Sequence, residues 1–122
     1  MNDKYVLDLK DHIDKRETAL VGREHGENLL KKLKDKGIIF KNIESKYAEI
    51  QIVVPKTIMS INKSFFLGFL ETRIQELGTD GFRNKYSFVA SDYILRKLDK
   101  NIDQAIFNDS QKSILGMGES DE

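Results

Sequence analysis

The chain has 122 residues, enough for one domain with a buried core, and its 39% apolar content is too high for the disordered class. It has no cysteine and no apolar run near the ~20 residues that cross a bilayer, which excludes disulfides, Cys-based zinc sites and a membrane-spanning helix. Twenty basic and twenty acidic residues cancel, so the global positive field that usually accompanies nucleic-acid binding is missing.

The polar start Met1-Asn2-Asp3-Lys4 is followed by no signal-peptide core, and the expected address is the cytoplasm. Tyr5, Leu7 and Leu9 alternate with Lys4, Asp8 and Lys10, which predicts a half-buried strand. As an exposed sheet edge, that strand would allow a homo-oligomer to form by sheet extension. His12 to Arg16 reads as a turn, and Thr18-Ala19-Leu20-Val21, closed by Gly22, as a second short strand. From Arg23 to Lys36 the leucines fall on one helical face, with Gly37 placed to end the helix. Lys31, Lys32, Lys34 and Lys36 form the wet side of that helix; as a phosphate-binding stripe they would be the weaker reading.

Ile38-Ile39-Phe40 fits either a strand start or a helix packing back on the sheet. Ala48 to Val54 is β-branched and nearly continuous, as in a strand covered on at least one face, and Pro55 ends its ladder. Phe66, Phe69, Leu70, Arg73, Ile74 and Leu77 then form one helical stripe, with Gly78 as C-cap and Thr79-Asp80-Gly81 as a turn. Tyr86 to Ala90 predicts a strand. Ser91 caps a last helix with Ile94, Leu95, Leu98, Ile102 and Ile106 on one side. The expectation is a single α/β domain over 1–107 and a flexible acidic tail over 108–122. Its architecture would be a small mixed sheet of about four strands, with three amphipathic helices mainly on one face.

Candidate chemistry is sparse. His12 and His25 have no helical relation, and Glu24 or Glu27 beside His25 does not make a metal site. No Gly-x-Ser-x-Gly elbow supports a serine triad, and Gly22-Arg23-Glu24-His25-Gly26 lacks the Lys-Ser/Thr end of a phosphate loop. No catalytic residue, metal or cofactor is assigned. Ser60-Ile61-Asn62-Lys63-Ser64-Phe65-Phe66 joins the apolar strand to the clearest helix, where free N–H groups and the dipole favour an anion. Asn62 or Ser64 there is either an ordinary cap or, for the serine, a phosphorylation point that changes a docking surface.

Ala48-Glu49-Ile50-Gln51-Ile52-Val53-Val54 with Ile58-Met59-Ser60-Ile61-Asn62-Lys63-Ser64-Phe65-Phe66-Leu67-Gly68-Phe69-Leu70 resembles the central strand and following helix of STAS-type domains. It is closest to a bacterial STAS-like family of unknown function with a Ser-Phe pair at that helix start. Thr18 to Arg23 with the helix after it, and the closing strand and helix through Phe107, extend the resemblance over about residues 16–107. In anti-sigma antagonist STAS domains an Asp-Ser-Ser-Gly motif at this place carries the phosphorylated serine. The resemblance puts Ser64 at that serine, with Asn62, Lys63 and Phe65 departing from the other three positions. It implies a non-catalytic module docking through Ser60, Asn62, Lys63, Ser64, Phe65 and Arg23 on a protein partner such as a histidine-kinase-type ATPase. The alternative is a small enzyme or ligand-binding domain in which Arg23, His25 and Lys63 hold a phosphate or carboxylate at the same helix start.

Overall fold

The computed structural model describes residues 3–116, with side chains described as far as Ala105. In chain order the elements are β1 (Lys4–Asp8), β2 (Ala19–Leu20), α1 (Arg23–Asp35), α2 (Phe40–Lys46), β3 (Glu49–Val53), β4 (Ser60–Ile61), α3 (Lys63–Lys85), β5 (Tyr86–Val89) and α4 (Asp92–Gly116). A 3₁₀ turn over Leu9–Asp11, capped by the Asp8 side chain, follows β1. The acidic tail expected over 108–122 falls where side chains, or the whole placement, lie outside the described residues. No described helix is long and apolar enough to cross a membrane.

The fold is α/β, but the expected single mixed sheet of about four strands is replaced by two parallel sheets. One has the order β1-β3-β5 and the other pairs β2 with β4. Each β1–β3–β5 step contains helix, and such crossovers join parallel strands. The two-residue strand β2 pairs only with Ser60–Ile61, a segment that reads in sequence as the lead-in to a helix. The described residues form four α-helical elements instead of three, because Phe40–Lys46 is helical. Phe40 and Ile43 of α2 point into the core one turn apart. The β-branched pair Ile38-Ile39 that suggests a strand only supplies the extended entry to this short helix.

The larger sheet steps in one direction, β1 to β3 to β5. Right-handed crossovers therefore place every connection on the same face. Burial agrees. Tyr5, Leu7, Ile50, Ile52, Tyr86 and Phe88 face the helices, while Val6, Gln51 and Ser87, in register, lie on the other side with Asp8, Val53 and Val89. Helix α3 is the hub, packing against α1, α4 and the sheet. Its first segment ends at Gly78, where the sequence places the stop, and a second helical segment follows. Gly78 adopts φ 78°, a left-handed conformation that breaks the helix, yet the chain resumes helical geometry to Lys85. Phe82, four residues on, is fully buried and stacks on Tyr86 with ring centroids 4.5 Å apart, and this anchors the second segment.

Arg73, which interrupts the apolar stripe of α3 in the sequence, is buried with its charge answered. Its Nε and Nη2 donate to the two Glu44 carboxylate oxygens at 2.8 and 2.6 Å, and Nη1 donates to Glu76 at 2.8 Å. The Tyr86 hydroxyl donates to Glu44 at 2.6 Å. Burial, reinforced by that hydrogen bond, pushes the phenol well above the ordinary tyrosine range. Lys85 Nζ donates to the carbonyls of Glu44 and Tyr47, closing the C-terminus of α2. One ionic cluster thus ties α2, α3 and β5 together.

Candidate functional site

β2 and β4 run parallel and each leads directly into a helix, β2 through Val21-Gly22 into α1 and β4 through Asn62 into α3. The two helix N-termini consequently lie side by side with their positive dipole ends at the same edge of the molecule. Gly22 is the N-cap of α1 at φ 95°, a conformation a side chain would strain, and it offers no capping group of its own. Asn62 serves both helices. Its Oδ1 accepts from the Phe65 N–H at 2.9 Å, inside α3, and from the Gly22 N–H at 3.2 Å, at the start of α1.

Asn62 is thus the N-cap of α3, which decides between the two sequence candidates for that role. Ser64 sits at the second helical position, exposed, and no described residue bonds its hydroxyl. Asn62→Ala should remove one cap and one interhelix bond together, lowering stability by about 1–2 kcal/mol in a denaturant melt.

The remaining expected site residues separate. Lys63 is half-buried and forms no described ion pair. Ser60 is half-buried in β4, in register with Ala19, and so belongs to a strand instead of the helix start. Phe65 is not a surface residue. It is 1% exposed and packs edge-on to His25 with ring centroids 5.2 Å apart, because α1 crosses directly over the first turns of α3. Arg23 donates to Glu71 at 3.0 Å and is held against the flank of α3. His25 Nε2 lies 2.7 Å from Glu17 and its Nδ1 is 3.2 Å from the Val21 carbonyl. Of the three side chains expected around an anion, two are already paired with carboxylates.

Two exposed apolar side chains lie on the segments that lead into these helices. Met59, just before β4, is 69% exposed and Val21, just after β2, is 47% exposed. The alternation in Val21-Gly22 and Met59-Ser60-Ile61 was too short to assign them a face. The start of α3 itself presents Asn62, the half-buried Lys63 and the Ser64 hydroxyl.

No family model, curated protein or solved structure matches this chain. A hollow of about 190 Å³ between the turn after β1 and α1 brings His12 and His25, unrelated in the sequence, together with Asp14, Glu17, Asn28 and Lys32. Another of about 490 Å³ lies at the carboxyl ends of the three main strands, between Val53, Pro55, Lys56, Val89 and Ser91. It contains no histidine, and its Ser91 hydroxyl accepts from the Ile94 N–H as the cap of α4. Among the described residues, no group of three or more His, Asp or Glu side chains is arranged to hold a metal. His12 is shifted below its usual value by partial burial and by Lys36, whose ammonium donates to Nδ1 at 2.9 Å. That pairing joins the turn after β1 to the end of α1, away from α3's start.

Proposed function

We propose that this chain is a non-catalytic, STAS-like regulatory module of the cytoplasm that docks on a partner protein through the start of α3, with Ser64 as its phosphoacceptor. The observation that carries the proposal is the division of labour between Asn62 and Ser64. Asn62 already caps α3, so the exposed Ser64 hydroxyl has no structural task to explain it. A phosphate there would sit at two adjacent helix N-termini, where the dipoles and unpaired N–H groups stabilise added negative charge.

Met59 and Val21 supply the desolvation that a docking surface needs, and Lys63 supplies a cation next to the serine. By the STAS resemblance, an ATPase of the histidine-kinase type is the partner whose chemistry fits. The small-ligand alternative is disfavoured because Arg23 and His25 are engaged with Glu71 and Glu17.

The test is a side-by-side capture from native extract with wild type, Ser64→Glu, Met59→Asp and a control, Lys34→Glu, on the exposed side of α1. One protein should be retained by wild type and control and reduced about tenfold or more by Met59→Asp, the size expected when an apolar contact becomes a buried charge. Ser64→Glu should change the same protein's retention. Equal capture of one specific protein by all four chains would remove the start of α3 as the docking surface.

A further inference from the structure

β1 is an edge strand of five residues without a proline, a bulge or any described element bonded along its outer side. Its hydrogen-bonding parity follows from its pairing with β3. The Glu49 N–H donates to the Asp3 carbonyl, in the parallel register Lys4↔Glu49. The backbone groups of Asp3, Tyr5 and Leu7 therefore turn towards β3, and those of Lys4, Val6 and Asp8 turn outward. The same three residues carry their side chains on the sheet face that no helix covers, where Val6 is 54% exposed.

The strand reads Lys4-Tyr5-Val6-Leu7-Asp8, and its charges are complementary to themselves on reversal about Val6. We propose that β1 pairs antiparallel with β1 of a second copy across a two-fold axis at Val6, joining two three-stranded sheets into one of six strands. In this register the two copies of Val6 exchange both backbone hydrogen bonds at the axis. Each Asp8 N–H reaches the other copy's Lys4 carbonyl. Lys4 of each copy stands opposite Asp8 of the other, twice by symmetry, and opposite charges in that position stabilise a strand pair. Two-fold registers centred on Lys4 or on Asp8 would put like charges on the axis, so charge selects the one centred on Val6. β5, the other edge, carries Tyr-Ser-Phe-Val and has no charge pair to set a register.

Sedimentation velocity over a dilution series of the full chain tests this, with Val6→Pro, Lys4→Asp, Asp8→Lys and the double Lys4→Asp/Asp8→Lys. Proline at Val6 removes only an outward N–H, so the β1–β3 ladder persists while the central bonds across the axis are lost. Val6→Pro should be monomeric with an unchanged circular dichroism spectrum. Each single reversal should weaken dimerisation about tenfold, and the double should recover to within about threefold of wild type. Asp8→Lys also loses the cap on the 3₁₀ turn, so Lys4→Asp and the double carry the weight of the comparison. A wild type that stays monomeric throughout, a dimer that survives Val6→Pro, or single reversals without rescue by the double would each overturn the proposal.

Discussion

Gly68→Ala is expected to cost more than any surface change in this chain, lowering the melting temperature by about 10 °C or preventing folding. Helices α1 and α3 touch backbone to backbone where they cross. A Cβ on Gly68 would collide with the Arg23 carbonyl oxygen and lie 2.9 Å from its carbon. A Cβ on Gly26 would collide with the Phe65 carbonyl oxygen and lie 2.8 Å from the Phe69 nitrogen. Main chain cannot rotate away as a flexible side chain does, so relief requires the helices to separate. Separation would open the packing of Leu29 and Leu33 against Phe65 and Phe69, all of them buried. Overpacking of this kind typically costs 1–3 kcal/mol and more where nothing yields, so about 3 kcal/mol is the expectation here.

Gly26→Ala should behave similarly, since the contact is reciprocal. Gly81→Ala is the control. Its added Cβ would meet only the Leu77 Cβ, at 3.3 Å, and should stay within about 1 kcal/mol of wild type. Thermal denaturation of the three variants checks the ordering. Equal stability for Gly68→Ala and Gly81→Ala would contradict the close crossing. The crossing also matters to the candidate site, because it brings the two helix starts together around Asn62.

The second large effect is expected at Arg73. Arg73→Ala should destabilise by about 3–5 kcal/mol, because it leaves the Glu44 carboxylate buried without its cation. Glu44→Leu alone should also be harmful, leaving the guanidinium with Glu76 as its carboxylate partner and removing the acceptor of the Tyr86 hydroxyl. The double Arg73→Met/Glu44→Leu removes both charges, and the two losses should fall well short of adding. Urea denaturation of the two singles and the double checks this. Additive losses would show that the two side chains contribute independently and that the ion pair is not the coupled unit described.

Much of this chain is legible before folding. The stripe of α3, that of α4 through Ile94, Leu98 and Ile102, the β-branched run of β3 and the Ser91 cap all follow from local periodicity and capping chemistry, and each reappears in the structure. Ile106, the last expected member of the α4 stripe, lies outside the described side chains. What sequence reading missed depends on distant partners. Ser60–Ile61 becomes a strand only because Ala19–Leu20 lies beside it. Phe65 becomes core only because a second helix covers the first turn of α3, so a residue outside the main stripe is buried as deeply as those within it. Two signals were available. Gly26 and Gly68 stand among the buried positions of their helices, where a missing side chain marks close approach, and Arg73 in an apolar stripe demands a buried acid. Which acid answers it, from α2, was not readable.

Within the candidate site, Asn62 and Ser64 were both legible as occupants of a helix start. Which of them caps was decided by position: the N-cap side chain reaches the third helical N–H, and Ser64 is already inside the first turn. Met59 and Val21 were not legible as surface residues, since each lies at the end of a two-residue strand where no alternation can develop.

The most direct test of docking at the start of α3 is oxidative footprinting of the tagged chain, alone and in native extract. Met59 is a sensitive probe because its thioether is exposed and readily oxidised, while Tyr93, 50% exposed at the start of α4, serves as the internal reference. The expected result is several-fold protection of Met59 relative to Tyr93 in extract, lessened when Ser64→Glu replaces wild type. Equal reactivity of Met59 with and without extract, while another part of the surface becomes protected, would contradict docking at this site.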